Sequence, residues 1–287
     1  MKRYSGRTFS PADIECINQL IKDNPNLLRA ALSRKVCQDL LWINPQGKLK
    51  EMSCRVAMIR MQEDGLITLP TPRNKNPSAY NKKIMYTDNT AMQPVCSTPA
   101  GQLKPLTFSL ISNRKQAALW NEYVDRYHYL GHKTLPGAQL RYFIYSGEQL
   151  IACLGFGAAA WKTAGRDQFI GWDPLQREKN LHLVVNNARF LILPWIQSRN
   201  LASKILALSA KQLMLDWPEK YNYKPVLLET FVELPRFTGA CYKAANWLHV
   251  GTTKGRGRND RFSECKLFKK DIFLFPLDKD FKLKLCL

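Results

Sequence analysis

Two carboxylates stand where acidic side chains are seldom idle. Asp167 lies in the run RDQFIGW beside Arg166, and Glu229 interrupts the apolar, strand-like run PVLLETFV. A carboxylate in a core-like strand is either paired or functional, because burying an uncompensated charge is costly. As a pair, Asp167 and Glu229 are candidate catalytic residues that would hold a divalent metal for phosphodiester cleavage, the chemistry of a metal-dependent nuclease. The competing reading is a buried ion pair between Glu229 and Arg166, Arg189 or Arg236. That reading carries more weight, since structural pairs also bury carboxylates. His128 and His132 have the i, i+4 spacing of metal-binding helices, but Gly131 between them argues for a loop. His128 is therefore read as structural or phosphate-contacting, and no metal site is predicted. The eight cysteines include no C-x-x-C pair and read as reduced core residues of a cytosolic protein.

A second kind of chemistry is carried by charge. The loop GTTKGRGRNDR sets Lys254, Arg256, Arg258 and Arg261 among glycines, which let a backbone come close to phosphates. Trp247 and Phe262 flank it and would stack on bases. The whole chain agrees with the loop: 43 Lys and Arg against 23 Asp and Glu give a net charge of +20 in 287 residues. Small soluble domains carry about 2–8 in magnitude, so solubility alone does not ask for this excess. A polyanion does, because neutralising phosphates releases counterions. DNA or RNA is the expected partner, and Arg166, Lys162 and Trp161 belong to the same face if the fold brings them there. No run approaches the roughly 18 apolar residues of a membrane span, and the first residues lack an export signal. A cytoplasmic protein without membrane contact is expected.

The elements that must position these residues fall into two domains. Over 1–72, Ser10-Pro11 starts a helix that ends at Asn24-Pro25, a second helix runs from Leu27 to Trp42, and a third from Lys50 to Asp64. LITLP then reads as a short strand. This is the order of a winged-helix DNA-binding domain. Met52, Val56, Ile59 and Met61 form the expected inner face of the third helix, with Lys50, Arg55 and Arg60 facing phosphates and Arg73 and Lys75 on a wing. Residues 73–105 are rich in Pro, Asn and Thr and read as a linker. From 106 to 287 the predicted order is a helix, a hairpin turning at Ser146-Gly147, a strand, a helix over Leu201–Trp217, a buried strand, a short helix and two last strands. The fold class is α/β, with a mixed sheet and flanking helices.

This order resembles the GCN5-related acetyltransferase (GNAT) fold. In that family a Q/R-x-x-G-x-G/A loop opens a helix whose N–H groups hold the pyrophosphate of coenzyme A. The matching run here is Gln197-Ser198-Arg199-Asn200-Leu201-Ala202, with Asn200 in place of the first glycine. The resemblance implies that Gln197, Arg199, Asn200 and Ala202 bind cofactor and that Tyr242 is the general acid of a coenzyme A-dependent acetyltransferase. It leaves the cofactor itself unknown, because a retained fold without coenzyme A fits equally. A second resemblance covers nearly the whole chain. The runs YHYLG, RYFI, FGAAAW, RDQFIGW, ARFLILPW, ETFV, RFTGACYKAANW and GTTKGRGR, with SCRVAMIRMQEDGLITLP before them, resemble the DruA family. That resemblance implies a part in the Druantia anti-phage defence system, within a multi-protein assembly. The chain has no helicase motif, so any ATP-driven step belongs to a partner such as a helicase.

Overall fold

Ser10 opens the first helix as its type and position predict. Its hydroxyl accepts the Asp13 N–H while the Asp13 carboxylate accepts the Ser10 N–H at 2.8 Å, a reciprocal cap that satisfies two of the orphan donors of a helix start. The computed structural model describes residues 2–44, 47–72, 84–256 and 267–287. Contacts divide the chain into two units, Met1–Lys83 and Ile84–Leu287.

The first unit holds a small hairpin, β1 (Lys2–Tyr4) with β2 (Arg7–Phe9), and three helices, α1 (Pro11–Asp23), α2 (Arg29–Asp39) and α3 (Glu51–Glu63). Its core gathers Phe9, Ile17, Leu32, Val36, Trp42, Met58 and Met61. The helices fall close to their predicted places, whereas the hairpin was not foreseen and LITLP does not form a strand. The faces of α3 also differ from expectation. Cys54, Ala57, Met58 and Met61 point inward, at i, i+3, i+4 and i+7. Met52, Val56 and Ile59 are 65%, 40% and 41% exposed. The small Cys54 and Ala57 let α3 lie close to its neighbours, and Met58 and Met61 fill the core beside them.

The second unit is built on a seven-stranded sheet. Its strands are β3 (Leu106–Leu110), β4 (Gln139–Ser146), β5 (Gln149–Ala158), β6 (Val184–Ile192), β7 (Leu227–Glu233), β8 (Leu248–Thr252) and β9 (Lys270–Pro276), in spatial order β3-β4-β5-β6-β7-β9-β8. Every neighbouring pair is antiparallel except β6–β7. A parallel pair needs a long crossover, and α7 (Leu201–Tyr221) supplies it. The other helices are α4 (Arg114–Tyr127), α5 (Ala164–Ile170), α6 (Pro174–Asn180), α8 (Ala240–Ala244) and α9 (Phe281–Leu285). The succession of hairpin, strand, helix, strand, helix and strand is the one that the acetyltransferase resemblance implies.

Alternation along the strands divides the core into two layers. Leu228 and Phe273 pack with α4, α7 and Tyr242, while Leu227, Ile272 and Leu274 pack with Ile170 of α5 and with Phe281 and Leu285 of α9. Residues 84–105, read from composition as linker, lie within this unit. Thr87 and Thr90 donate to the buried Glu122 carboxylate, and Cys96 bridges Ile196. No helix among the described residues is long and apolar enough to cross a membrane.

Candidate functional site

Glu229 and Thr230 are adjacent on β7 and therefore point to opposite faces of the sheet. On the α5 face Glu229 is wholly buried. One carboxylate oxygen accepts Arg166 Nη1 at 2.8 Å and the other accepts the Ala160 N–H at 2.7 Å. Arg166, equally buried, gives Nε and Nη2 to one Asp167 oxygen at 2.9 and 2.8 Å, and Nη1 also reaches the Ala160 carbonyl at 2.7 Å. Asp167 accepts Trp172 Nε1 at 3.1 Å and the Thr163 N–H at 3.2 Å, and Arg177 lies 3.5 Å away. Burial pushes the Glu229 carboxyl up, with Arg166 and the Ala160 N–H pulling it down.

The structure thus brings Asp167 and Glu229 together, but through an arginine. Each oxygen of the two carboxylates already accepts from Arg166, Arg177, Trp172 or a backbone N–H, the pattern of an ion-pair network rather than of two carboxylates turned toward a common metal. Among the described residues no three His, Cys, Asp or Glu side chains gather around a common point. Arg166, expected at phosphates, is enclosed and cannot reach a ligand. Glu229 chose it over Arg189 and Arg236 because only Arg166 sits on the α5 face of β7.

On the opposite face the two central strands part. β6 pairs with β7 only over Val184–Asn186 against Leu227–Glu229. Beyond that point the β5 partners jump from Asn187 to Arg189, which leaves Ala188 as a bulge. A bulge bends its strand and ends regular pairing. The opening is a cavity of about 380 Å³, lined by Tyr127–Leu130, Asn187, Ala188, Phe190–Ile192, Thr230–Val232, Phe237, Gly239, Cys241 and Tyr242. Tyr242 donates to Asn187 Oδ1 at 2.8 Å, and the Thr230 hydroxyl donates to the Asn187 carbonyl at 3.1 Å. Phe273 stacks on the Tyr242 ring at 5.8 Å and Trp247 meets it edge-on at 5.1 Å. Burial raises the Tyr242 phenol far above its ordinary value.

The proton expected of Tyr242 as a general acid is therefore engaged by Asn187. His128, on the cavity wall, accepts the Leu130 N–H at 3.2 Å and is held at about 4 by burial and by the charges of Arg189 and Lys270. It is neutral at physiological pH and brings no charge to a phosphate.

The start of α7 tests the cofactor expectation. Asn200 has φ 63°, so it makes the left-handed turn that the family pattern gives to glycine. Gln197, Arg199 and Asn200 are exposed and Ala202 half-buried. The strand edge leading to that turn is already paired, however. Cys96 N–H donates to the Trp195 carbonyl and Gln197 N–H to the Cys96 carbonyl, both at 2.8 Å. The main chain leading into the turn that the resemblance gives to coenzyme A is thus already paired with Cys96.

The described part of the basic loop runs on from β8, which pairs antiparallel with β9. Pairing continues beyond both strands: Thr253 N–H donates to the Lys270 carbonyl at 2.8 Å and Leu267 N–H to the Gly255 carbonyl at 3.0 Å. Lys254, Arg256 and Lys269 are exposed along this stem. Arg258, Arg261 and Phe262 lie outside the described residues, as do Arg73 and Lys75. Trp247 does not flank the tip as a stacking residue. It is buried against Tyr242 and Phe275. In the first unit Lys50 and Arg55 are half-buried and Arg60 exposed, beside the uncovered Met52, Val56 and Ile59. Trp161, named in the sequence only as a companion of Arg166, emerges as the exposed aromatic that the ion-pair network supports.

Solved structures similar to the chain include an N-acetyltransferase from Staphylococcus aureus Mu50, 10% identical over 60% of this chain and 98% of that one, with a TM-score of 0.36. A putative acetyltransferase from Sphaerobacter thermophilus is 11% identical over 61% and 96%, with a TM-score of 0.33. A dodecameric spermidine N-acetyltransferase from Vibrio cholerae is 10% identical over 50% and 67%, with a TM-score of 0.33. Likeness at these scores carries no activity to this chain. A search of the curated proteins finds no match. The family model described as Druantia protein DruA matches residues 60–270, well over half of the sequence, and the chain belongs to that family.

Proposed function

We propose that this chain is a nucleic-acid-binding component of an anti-phage defence system, acting in the cytoplasm together with other proteins of that system, a helicase among them. The family supports the defence role. The observation that carries nucleic-acid binding is the β8–β9 hairpin. It sets Lys254, Arg256 and Lys269 at the surface of an edge of the sheet, in a chain of net charge +20. Paired backbone in the stem holds these cations in register, and neutralised phosphates release counterions. The metal-nuclease and acetyltransferase readings lose support for one reason: Glu229, Asp167 and Tyr242 are each engaged by a neighbour. Electrophoretic mobility shifts of the purified chain with duplex DNA, single-stranded DNA and RNA test the reading. Binding that weakens as salt rises is expected, and no shift with any of the three overturns it.

A second reading concerns the first unit alone. Its three helices suit a winged-helix domain, but a surface of Met52, Val56 and Ile59 on α3 suits a protein better than a major groove, where polar and basic side chains do the contacting. The exposure of those three residues favours this unit as the one that docks onto a partner of the defence assembly.

A further inference from the structure

Trp161 is 51% exposed, yet the backbone on both sides of it is fixed. Ala160 is clamped at its N–H by Glu229 and at its carbonyl by Arg166, each at 2.7 Å, and the Thr163 N–H is held by Asp167. Arg177 bonds to the same Asp167 and lies over the indole, 5.7 Å from its centroid. A buried ion pair is a poor way to stabilise a core, because desolvation offsets much of its attraction. Fixing a surface loop is a use that does need directional bonds. Here every member of the network touches the residues that flank or support one exposed tryptophan.

The surroundings of this tryptophan are cationic. Lys162 is exposed beside it. α5, which follows directly, packs against β8 where Gly165 meets Gly251. A Cβ on Gly165 would come within 2.7 Å of the Val250 carbonyl, so only glycine allows this approach. The contact brings the Trp161 loop next to the strand that runs on to Lys254 and Arg256.

We infer that Trp161, backed by Arg177 and held by the Glu229–Arg166–Asp167 network, is a stacking platform for an unpaired nucleobase, so that the chain prefers single-stranded nucleic acid. This rests on the nucleic-acid reading of the same hairpin surface. A rigid aromatic ring stacks on any base with little loss of its own freedom, and the neighbouring cations take the phosphates. Bases inside a duplex are already stacked and do not reach such a ring. Trp161 is a binding residue in this account, and Glu229, Arg166 and Asp167 are positioning residues.

The test is anisotropy of a fluorescently labelled oligothymidylate and of a labelled duplex of equal length, with the full chain and its Trp161→Ala and Trp161→Phe variants. The single strand is expected to bind more tightly than the duplex. Trp161→Ala is expected to weaken single-strand binding about tenfold and leave duplex binding unchanged, with Trp161→Phe retaining most of the affinity. Equal single-strand binding by wild type and Trp161→Ala overturns the platform, as does a wild type that prefers the duplex. In both cases the wider nucleic-acid reading survives. A wild type that binds neither probe overturns the platform, and the mobility shift with RNA then decides the wider reading. Since Trp161 is a surface residue, unchanged thermal unfolding of the variants separates lost stacking from lost fold.

Discussion

Glu229 and Thr230, one residue apart on β7, open onto two regions built in opposite ways. Behind Glu229 the sheet is closed, and charges are matched by charges and backbone N–H groups until every carboxylate oxygen has a donor. Behind Thr230 the sheet is open, because the Ala188 bulge turns β6 away and the polar groups at the cavity floor are neutral. The sequence reads the first region as a metal-binding pair or, with more weight, as an ion pair, and the fold joins its two carboxylates through Arg166. The second was read as catalytic through a single tyrosine, and its hydroxyl is part of the floor. Charged residues in a strand are thus a guide to where a protein is braced as much as to where it reacts.

Breaking the charged region should have the largest effect. Arg166→Met leaves Glu229 buried without its partner, and a loss of about 3–5 kcal/mol is expected in urea unfolding. Replacing both residues, Arg166→Met with Glu229→Gln, should recover a good part of that loss. A single variant as stable as wild type would mean that the network braces nothing.

The neutral region responds to pH instead. The folded-state value of His128, about 4, lies below the ordinary 6.5, so the unfolded chain binds the proton more readily between these values. Stability is therefore complete above about 6.5 and falls as pH drops toward 4, by on the order of 2 kcal/mol after discount for partial exposure. His128→Gln should flatten the slope of unfolding free energy against pH in that window. An unchanged slope would place the titration elsewhere.

Tyr242→Phe comes next. It removes one hydrogen bond and leaves Asn187 Oδ1 short of a donor, which costs about 1–2 kcal/mol in thermal unfolding. A larger loss would show that the floor supports more of the sheet than its own contacts suggest. Smallest of all is Ile59→Ser on the outer face of α3, where surface exposure predicts a change within about 0.5 kcal/mol. The same substitution should reduce co-purification with other components of the defence system, and retained co-purification would return α3 to the nucleic-acid side.

Much of the second unit was legible because its cues are local. Ser146-Gly147 marks a hairpin, and the runs LHLVVNNARFLILPW and PVLLETFV mark strands, whatever lies around them. What was hidden depends on partners distant in sequence. The inner face of α3 was assigned to Met52, Val56, Ile59 and Met61, of which Met61 alone is buried, since these residues compete with Cys54, Ala57 and Met58 all around one helix and only packing decides. The bulge at Ala188 is one residue in an apolar run and has no signature of its own. Residues 84–105 looked like linker because polar contacts to Glu122 hold them, and polarity reads as exposure. Asp167 and Glu229 stand out by type and setting, but the arginine between them was one of three candidates until the strand's facing was known.

The central claim is that the basic hairpin holds nucleic acid through phosphates. The most direct measurement is the dependence of the binding constant on salt for wild type and for a Lys254→Ala, Arg256→Ala double variant. A linear fall of log K with log salt is predicted, with the slope smaller by about 2 in the variant, one for each phosphate contact removed. An identical slope in the two proteins would contradict the account.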